Sequence, residues 1–481
     1  MLSAPLIAPK HGLYVGGEWI ETDEHDEIRL PYDGTVVGLV ARATEAHVDR
    51  AIEAAQQGAR AMATLANYER ADLLLRIAEE VRKDEDELAQ LICSETGKPI
   101  KQARTEANRS VDTVIASAHA ARELHGEAVP MDFAAGADRR MAITVREPLG
   151  VLGAITPFNF PLNLTLHKLA PALAAGNAVV HKPAERTPLS ALRLARLVEE
   201  AGAPPGAYNI VTGNGPALAA AMLRHPAVAM MTFTGSMKIG MELRAKAGLK
   251  RVTLELGNNS AVIIEPDADL ATAVPRSVQG AFGLSGQSCI SLQRAFAHES
   301  IADEYIERLV AGARTLRIGH PYESSTDVSS LIDEGAAIRV EAWIQEALDS
   351  GAHLLCGGKR RGAIIEPAVL TNVPASARLS CEEVFGPVVA VYRYESLEEA
   401  ILRANSTQYG LQAGIFTRDL PRAFAAARKL QFAGVLINDI PTFRMDHMPY
   451  GGAKYSGLGR EGPRYAIEEM TELKLICWKT E

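Results

Sequence analysis

The feature that most constrains the fold is a regular alternation of apolar runs and helical patterns between residues 150 and 257. The apolar runs cover residues 150–156, 178–183, 208–213, 229–235 and 251–257, and the segments between them carry helical patterns. Apolar runs without polar alternation, separated by helices, are typical of parallel strands covered on both faces. The pattern predicts a doubly wound α/β fold, which binds nucleotides at the carboxyl ends of its strands.

The rest of the chain adds helices, a second αβ series and two segments of a different kind. Helical patterns precede residue 100, and further αβ units follow residue 257 up to about residue 436. Residues 139–150 and 471–480 instead alternate polar and apolar side chains, like exposed strands. An exposed strand at a chain end often pairs with another subunit, so the sequence predicts a homo-oligomer.

Composition excludes several classes of partner. The net charge of −9 argues against nucleic acid, because phosphate binding needs clustered Lys and Arg. No stretch approaches the ~18 apolar residues of a membrane span, and the first twelve residues lack the pattern of a secretory signal. The five scattered cysteines include no Cys-x-x-Cys pair, which argues against a disulfide framework or a structural zinc site. We expect a cytoplasmic protein without a metal, a nucleic acid or a membrane as partner.

Cys289 lies in the small-residue run GLSGQSCISLQR and has four possible roles. It could be half of a disulfide, a metal ligand, a nucleophile or a small buried side chain. The cysteine distribution argues against the first role and weakens the second. A nucleophilic cysteine would need help to form its thiolate, and an oxyanion site for the product of its attack.

Two other polar residues follow predicted strands directly. Glu255 ends an apolar run, where α/β enzymes place catalytic groups, although a surface glutamate at a strand end is the alternative. Asn159 lies between Pro157 and Pro161, and its amide could donate to an oxyanion or simply close an Asx turn.

Two segments are candidates for nucleotide binding. Residues 233–240, FTGSMKIG, place a glycine and a serine between a strand and a helix, whose N-terminus could hold a pyrophosphate. The glycine pattern is only part of the dinucleotide fingerprint. Lys182 and Glu185 follow another strand end and could hold ribose hydroxyls, or form a solvated loop.

The order of these motifs resembles the NAD(P)-dependent aldehyde dehydrogenase superfamily along nearly the whole chain. The matching segments are TPFNFPL, HKPAERTP, FTGSMKIG, LELGNNS, GQSC, EEVFGP and PYGGAKYSGLGREG. The resemblance implies a variant Rossmann cofactor domain formed by residues 1–122 and 147–256, and an α/β catalytic domain formed by residues 257–436. It also implies an oligomerisation β-arm formed by residues 123–146 and 465–481, as in homodimers or homotetramers.

The family's chemistry can be carried over to matching positions. Cys289 would attack the aldehyde, and the Asn159 amide with the Cys289 backbone N–H would stabilise the oxyanion. Hydride would pass to the nicotinamide, and Glu255 would activate the water that hydrolyses the thioester. The resemblance implies cofactor contacts at Thr156, Pro157, Phe158, Lys182, Glu185, Gly215, Phe233, Gly235, Ser236, Leu256, Glu383 and Phe385.

Glu185 and Glu255 make the expected cofactor and the expected product more specific. Glu185 favours NAD over NADP, because a carboxylate accepts from the ribose 2′-hydroxyl and repels a 2′-phosphate. Glu255 favours hydrolysis to a free acid, because coenzyme A-acylating members generally lack this base.

The substrate expected from the resemblance is small. GNNS, TPFNFPLN and PTFRMDHMPYGG are similar to the lactaldehyde and phosphonoacetaldehyde dehydrogenases, which handle small hydroxylated or anionic aldehydes. Candidate substrate contacts are Arg104, Arg109, Phe160, Ser288 and Arg444. Phe160 and Ser288 carry no positive charge, which argues against a phosphonate, and Phe158, Phe160 and Phe443 suggest a partly apolar tunnel. We therefore expect a short hydroxyaldehyde or semialdehyde.

Three rival interpretations remain open at this point. The chain could be a coenzyme A-acylating semialdehyde dehydrogenase, or a catalytically silent member of the same fold. It could also be a cysteine hydrolase without a cofactor, which would need a histidine beside Cys289. His167 and His181 are present, but nothing in the sequence couples them to Cys289.

Overall fold

The computed structural model describes residues 8–480. The prediction that the first twelve residues lack a secretory signal therefore falls partly outside the described residues. The strands are β1 Lys10–His11, β2 Leu13–Val15, β3 Glu18–Ile20, β4 His25–Arg29, β5 Val36–Ala41, β6 Ala128–Val129, β7 Arg140–Pro148, β8 Val151–Ile155, β9 Ala178–Lys182, β10 Tyr208–Ile210, β11 Val228–Thr234, β12 Arg251–Glu255, β13 Ser260–Ile264, β14 Leu292–His298, β15 His353–Cys356, β16 Arg360–Arg361, β17 Ile364–Ile365, β18 Ala368–Thr371, β19 Val388–Tyr394, β20 Gln412–Phe416, β21 Gly434–Ile437, β22 Gly457–Leu458 and β23 Thr471–Lys479.

The α-helices alternate with these strands along most of the chain. They are α1 Glu45–Thr64, α2 Asn67–Lys83, α3 Glu85–Thr96, α4 Ile100–Arg122, α5 Asn163–Ala174, α6 Leu189–Glu200, α7 Gly215–Arg224, α8 Met237–Lys246, α9 Leu270–Phe282, α10 Glu299–Thr315, α11 Glu334–Asp349, α12 Arg378–Cys381, α13 Leu397–Asn405, α14 Leu420–Lys429 and α15 Pro463–Glu469. Within residues 8–480, no helix is both long and apolar enough to cross a membrane.

The first large sheet contains the predicted parallel strands at its centre. Its order is β22-β12-β11-β8-β9-β10-β2-β3, and β8 to β12 run parallel to one another. The edge strands β2, β3 and β22 are antiparallel, which corrects the expectation of a purely parallel sheet. These edge strands have only two or three residues each. They are too short to show a periodic pattern in the sequence.

The strand order places a crevice at the carboxyl end of β8. β8 lies between β9 and β11, so the chain winds outward in both directions from it. The loops after β8 and β11 therefore diverge, which is where doubly wound sheets bind ligands. Separate apolar clusters cover the two faces of this sheet, and both faces are buried as the apolar runs predicted.

The second large sheet has the order β15-β18-β19-β14-β13-β20-β21, in which only β15 is antiparallel. Two further apolar clusters cover its faces. β23, β7 and β6 form a separate antiparallel sheet, in which Thr471 pairs with Pro148 and Lys479 with Arg140. The two segments predicted as exposed strands are therefore partners of each other.

Candidate active site

Cys289 lies in a constrained loop just before β14, at the amino end of the second sheet. The helix α9, which precedes this loop, ends at Phe282. Leu284, Ser285 and Gly286 then take left-handed backbone conformations, with φ of 55°, 52° and 72°. A Cβ at Gly286 would lie 2.0 Å from the carbonyl oxygen of Gly386, so this position requires glycine.

Hydrogen bonds hold this loop on the N-terminal side of the cysteine. The backbone N–H of Leu284 donates to Gln102 Oε1 at 3.0 Å, and Ser285 Oγ donates to the carbonyl of Ser329 at 2.9 Å. Gln287 Oε1 accepts from the N–H of Ile332 at 2.8 Å. The loop thus presents Cys289 in a fixed position despite its unusual backbone.

Two cavities meet at Cys289. The first, which we name the arginine cavity, has a volume of about 290 Å³ and contains Arg109, Phe160, Ser288 and Arg444 in its wall. The second, which we name the strand-end cavity, has a volume of about 270 Å³ and lies beyond the ends of β8, β11 and β12. Cys289 lines both, so its thiol can act on a molecule in one while facing a molecule in the other.

The Cys289 thiol contacts a tyrosine hydroxyl. Sγ lies 2.8 Å from the hydroxyl oxygen of Tyr450. Burial raises the pKa of the Cys289 thiol to about 12, the hydrogen bond to Tyr450 lowers it, and Glu383 raises it further. With nothing bound, the thiol is therefore protonated at neutral pH.

Asn159 is buried, and its amide is held beside the cysteine loop. Its Nδ2 donates to the carbonyl of Gln287 at 2.9 Å, while its Oδ1 has no hydrogen-bond partner. Nδ2 carries two hydrogens, so one N–H remains for a group bound in the strand-end cavity.

A buried ion pair fixes the loop that carries Asn159. Lys98 Nζ pairs with Glu106 and donates to the carbonyl of Asn159 at 2.7 Å. Glu106 Oε1 accepts from the N–H groups of Leu162 at 3.0 Å and Asn163 at 3.2 Å. Neither Lys98 nor Glu106 was singled out from the sequence, because the backbone groups that they hold lie more than fifty residues away along the chain.

Glu255 ends β12 with a buried carboxyl group. Neither of its oxygens has a hydrogen-bond partner. Burial, reinforced by the negative charge of Glu461, raises its pKa well above the ordinary value. The side chain is thus neutral and unpaired in the wall that Cys289 also lines.

The pKa of Glu461 is shifted in the opposite direction. Burial alone would raise its pKa, but neighbouring charges, of which Lys168 is the largest, lower it to about 2. Lys168 Nζ donates to Glu461 Oε1 at 2.8 Å and to Thr232 Oγ1 at 3.1 Å. A buried ion pair therefore lies behind Glu255, and the sequence did not reveal it.

The Arg444 side chain is 8% exposed and packs on Tyr450, with its guanidinium carbon 3.7 Å from the ring centroid. Its Nη2 lies 3.1 Å from Nε2 of His167 and 3.4 Å from Oε2 of Glu461. Its Nε is buried and has no partner. Arg444 consequently retains donor capacity at the wall of the arginine cavity.

Arg109 reaches the same cavity from α4. It donates to both carboxylate oxygens of Asp446, at 3.2 and 2.8 Å. Asp446 also accepts from Asn163 at 3.1 Å and contacts His167 at 3.0 Å. Arg109 is thus held in position and largely neutralised.

Two of the residues considered from the sequence lie elsewhere. Arg104 is exposed and lies 3.5 Å from Asp86, outside the arginine cavity. Phe443 is partly exposed and does not line the cavity, although its neighbours Thr442 and Arg444 do. Phe158 lines the strand-end cavity instead. Of the three phenylalanines expected to form a tunnel, Phe160 is the one that lines the arginine cavity.

Most residues expected to hold the cofactor gather in the strand-end cavity. Its wall includes Pro157, Phe158, Gly235, Ser236, Leu256, Glu383 and Phe385. The rings of Phe158 and Phe385 meet edge to face, with centroids 5.7 Å apart. Glu383 accepts from the N–H of Asn258 at 3.0 Å, and burial raises its pKa to about 7. Arg339 of α11 also lines this cavity and was missed from the sequence.

Three of the expected cofactor residues form a neighbouring cluster. The N–H of Gly215 donates to Glu185 Oε1 at 2.6 Å, and Lys182 Nζ lies 3.8 Å from the same oxygen. A Cβ at Gly215 would lie 3.0 Å from Lys182 Nζ. The absence of a side chain there leaves both polar groups accessible from one side.

Thr156 and Phe233 lie behind the cavity wall. Thr156 Oγ1 contacts His181 at 2.8 Å, and the Phe233 ring packs beneath Gly235. His181 also contacts the Tyr208 hydroxyl at 2.8 Å, and burial lowers its pKa to about 3. His167 contacts Asp446 and Arg444, so neither histidine touches Cys289 and the hydrolase interpretation lacks its base.

Comparison with known proteins shows which family the chain matches. A model of the "Aldehyde dehydrogenase family" matches residues 19–476. The chain is 45% identical to 3-sulfolactaldehyde dehydrogenase of Priestia megaterium, over 97% of this chain and 98% of that protein.

Solved structures agree over the full chain. The crystal structure of aldehyde dehydrogenase 21 from Physcomitrella patens, in complex with the reaction product succinate, matches with a TM-score of 0.96 and 39% identity, covering 98% of this chain and 99% of that one. Glyceraldehyde-3-phosphate dehydrogenase GapN from Methanocaldococcus jannaschii, complexed with NADP, matches with a TM-score of 0.92 and 40% identity, covering 95% of this chain and 100% of that one.

Proposed function

The chain belongs to the aldehyde dehydrogenase family, and we propose that it uses NAD to oxidise a small aldehyde bearing a hydroxyl or one anionic group to its carboxylic acid. The observation that carries this proposal is the junction of the arginine cavity and the strand-end cavity at Cys289. One side offers cations and a small volume for a substrate. The other side has the form of a nucleotide site at the switch point of a doubly wound sheet.

The residues around the junction divide the chemistry among them. The Cys289 thiolate would add to the aldehyde carbon, and the Asn159 amide with the Cys289 N–H would stabilise the resulting oxyanion. NAD, when bound, supplies the nicotinamide ring that accepts hydride from the substrate carbon. Glu255 would then take a proton from water, which attacks the thioester and releases the acid together with the free thiol.

The strand-end cavity fits a dinucleotide by its shape. A Cβ at Gly257 would lie 2.5 Å from a carboxylate oxygen of Glu383, and a Cβ at Gly235 would lie 2.6 Å from the Phe233 ring. Both positions therefore require glycine, which lets the side chains of Glu383 and Phe233 pack directly on the backbone here. Glu383 and Phe385 would hold the nicotinamide end, and Lys182 with Glu185 would hold the adenosine ribose.

Glu185 supports NAD as the preferred form. Its carboxylate is oriented by the N–H of Gly215 and lies near Lys182, which suits a ribose diol and repels a 2′-phosphate. The test is the ratio of kcat/KM values with NAD and NADP. Better turnover with NADP would disprove this assignment.

The charges around the arginine cavity match a substrate with one negative charge. Lys98 pairs with Glu106, Arg109 with Asp446, and Lys168 with Glu461. Burial and the charge of Arg444 lower the pKa of His167, which is therefore neutral. Arg444 shares Glu461 with Lys168, so one positive charge is left without a matching carboxylate. A carboxylate or sulfonate fits this balance better than a doubly charged phosphonate.

The first experiment follows NADH absorbance with a panel of small aldehydes. We expect turnover with 3-sulfolactaldehyde, succinic semialdehyde or lactaldehyde to exceed turnover with phosphonoacetaldehyde, and Cys289→Ala to abolish it. In Arg444→Met, kcat/KM for an anionic aldehyde should fall by about ten- to a hundredfold, because a charge-assisted hydrogen bond is lost. Neutral lactaldehyde is the control and should change much less. Turnover only with long-chain or aromatic aldehydes would contradict the proposal.

The rival forms of the activity give distinct results in the same assay. A strict requirement for coenzyme A would indicate the acylating enzyme, whereas the unpartnered Glu255 supports hydrolysis. NAD binding without turnover of any aldehyde would indicate a catalytically silent protein.

The proposal also covers the division of the chain into parts and its cellular compartment. It retains the cofactor part of residues 1–122 and 147–256, the catalytic part of residues 257–436, and the β-arm as an oligomerisation surface. The free cysteines, among them the exposed Cys477, support the reducing environment of a cytoplasm.

A further inference from the structure

Tyr450 is the polar side chain in contact with the Cys289 sulfur, and the reaction scheme above gives it no role. Its hydroxyl oxygen lies 2.8 Å from Sγ, while the rest of its side chain is buried against Ile290 and Leu411. A buried hydroxyl at this distance from a nucleophile needs an explanation, because tyrosine brings only one polar atom into an apolar setting.

The backbone around Tyr450 fixes the position of that hydroxyl. The N–H of Tyr450 donates to the carbonyl of Glu461 at 3.0 Å, and the N–H of Glu461 donates back at 2.6 Å. The guanidinium of Arg444 covers the ring face, 3.7 Å from its centroid. A cation on the ring draws electron density from the phenol and strengthens the O–H as a donor.

The direction of the hydrogen bond follows from the chemistry of the two groups. A thiolate can only accept, whereas the phenol can donate. Burial raises the pKa of Tyr450 well above its ordinary value, so the phenol keeps its proton. The other charged or titratable groups that face the sulfur are Glu383, Arg444 and Glu255. Of these, Glu383 disfavours a thiolate and Arg444 favours one.

We propose that the Tyr450 hydroxyl donates a hydrogen bond to the Cys289 sulfur and is thereby a catalytic residue that stabilises the attacking thiolate. The inference rests on the proposed function only in naming the thiolate as the attacking group. It places the activation of the nucleophile on the same loop that carries Arg444. The substrate-binding cation then lies over the face of the ring whose hydroxyl contacts the sulfur.

The test measures alkylation of Cys289 in the protein without aldehyde or cofactor, so it succeeds or fails independently of the enzymatic activity. Because the chain has five cysteines, modification is followed on the Cys289 peptide by mass spectrometry. Tyr450→Phe removes only the hydroxyl and keeps the ring under Arg444. Tyr455→Phe is the matched control, since it removes a half-exposed hydroxyl from the same segment.

We expect Tyr450→Phe to slow alkylation at neutral pH by about three- to tenfold. Losing a hydrogen bond to a charged sulfur reduces the thiolate population by about ten- to a hundredfold, and the greater intrinsic nucleophilicity of a more basic thiolate offsets part of that loss. Iodoacetamide and a smaller methylthiolating reagent should show similar slowing, whereas Tyr455→Phe should match wild type. An unchanged rate, or slowing with the larger reagent alone, would overturn the proposal.

A second measurement covers the case in which Tyr450→Phe melts too early to be interpreted. Wild-type protein grown with 3-fluorotyrosine carries a more acidic phenol, which is a stronger donor. Its Cys289 should alkylate faster than that of unlabelled protein at the same pH, and an equal or slower rate would overturn the proposal.

Discussion

At the scale of single residues, burial sets the protonation of both groups that we propose to carry the chemistry. Cys289 and Glu255 each have a pKa raised chiefly by desolvation, and each is neutral at neutral pH with nothing bound. The Glu255 carboxyl group must lose its proton before it can accept one from water. The two groups therefore control different half-reactions.

Glu255→Gln should separate those half-reactions. The amide keeps the size of the side chain but cannot accept a proton, so we expect one rapid equivalent of NADH followed by a steady-state rate lower by about 10²–10⁴-fold. Rapid-mixing absorbance measures both phases. Cys289→Ala, as control, should lose the burst as well, and a variant with wild-type steady-state turnover would exclude Glu255 as the base.

The raised pKa of Glu255 also predicts a pH dependence. The base form is the carboxylate, and its fraction grows as pH rises toward the elevated pKa, so kcat should increase from acidic to mildly alkaline pH. Where hydrolysis of the thioester limits the rate, Glu255→Gln should lack this rise. A wild-type kcat that is flat across this range would show that Glu255 is ionised in the reacting complex.

At the scale of elements, the loop before Cys289 is the most constrained part of the site. Gly286→Ala would combine a left-handed backbone with a Cβ only 2.0 Å from the Gly386 carbonyl. Gly362→Ala offers a matched control, since Gly362 has φ of +58° but no atom within 4 Å of its Cβ position. The control isolates backbone strain of about 1–2 kcal/mol, and Gly286→Ala should cost a further ~1–3 kcal/mol for the clash.

Activity distinguishes the two glycine variants more sharply than stability. Displacing Cys289 by about an ångström should lower kcat/KM by roughly a hundredfold in Gly286→Ala, while Gly362→Ala should retain wild-type turnover. Thermal unfolding and the aldehyde assay measure the two effects. Equal activity in both variants would show that the loop tolerates rearrangement.

The secondary-structure elements and loops differ in how well the sequence predicts them. The strands β8 to β12 were predictable to within three residues at each end, because long apolar runs bury both faces. The loop from Leu284 to Gly286 was not, since nothing in the composition of Leu284 or Ser285 marks a left-handed backbone. Tyr450, Lys98 and Glu461 were missed for a different reason, as their contacts join residues far apart in the chain.

One distinction between candidate residues was available from the sequence but not used. Arg104 and Arg109 lie five residues apart on α4, which separates them by about 140° around the helix axis. The two could therefore not both face one cavity. The structure shows which of them does, because Glu106, three residues from Arg109, lies on the buried side of the helix.

At the scale of the whole molecule, β23 leaves an unfinished sheet edge. β23 pairs with β7 along one side, and among the described residues no strand pairs with its other side. Its exposed side chains include Leu473, Leu475 and Trp478. A long edge strand with exposed apolar side chains is a surface for another chain. We therefore expect the protein to sediment at two or four times the 51.6 kDa of one chain.

Charge placed on that edge should dissociate the assembly. Leu473→Glu combined with Leu475→Glu would bury two unpaired carboxylates in any contact along β23, so we expect a monomer by sedimentation velocity. Leu402→Glu, which changes an exposed leucine on α13, is the control and should leave the assembly intact. Because the arm lies outside both cavities at Cys289, the dissociated chain should still bind NAD. A wild-type monomer, or equal dissociation by the control, would exclude the β-arm as the contact.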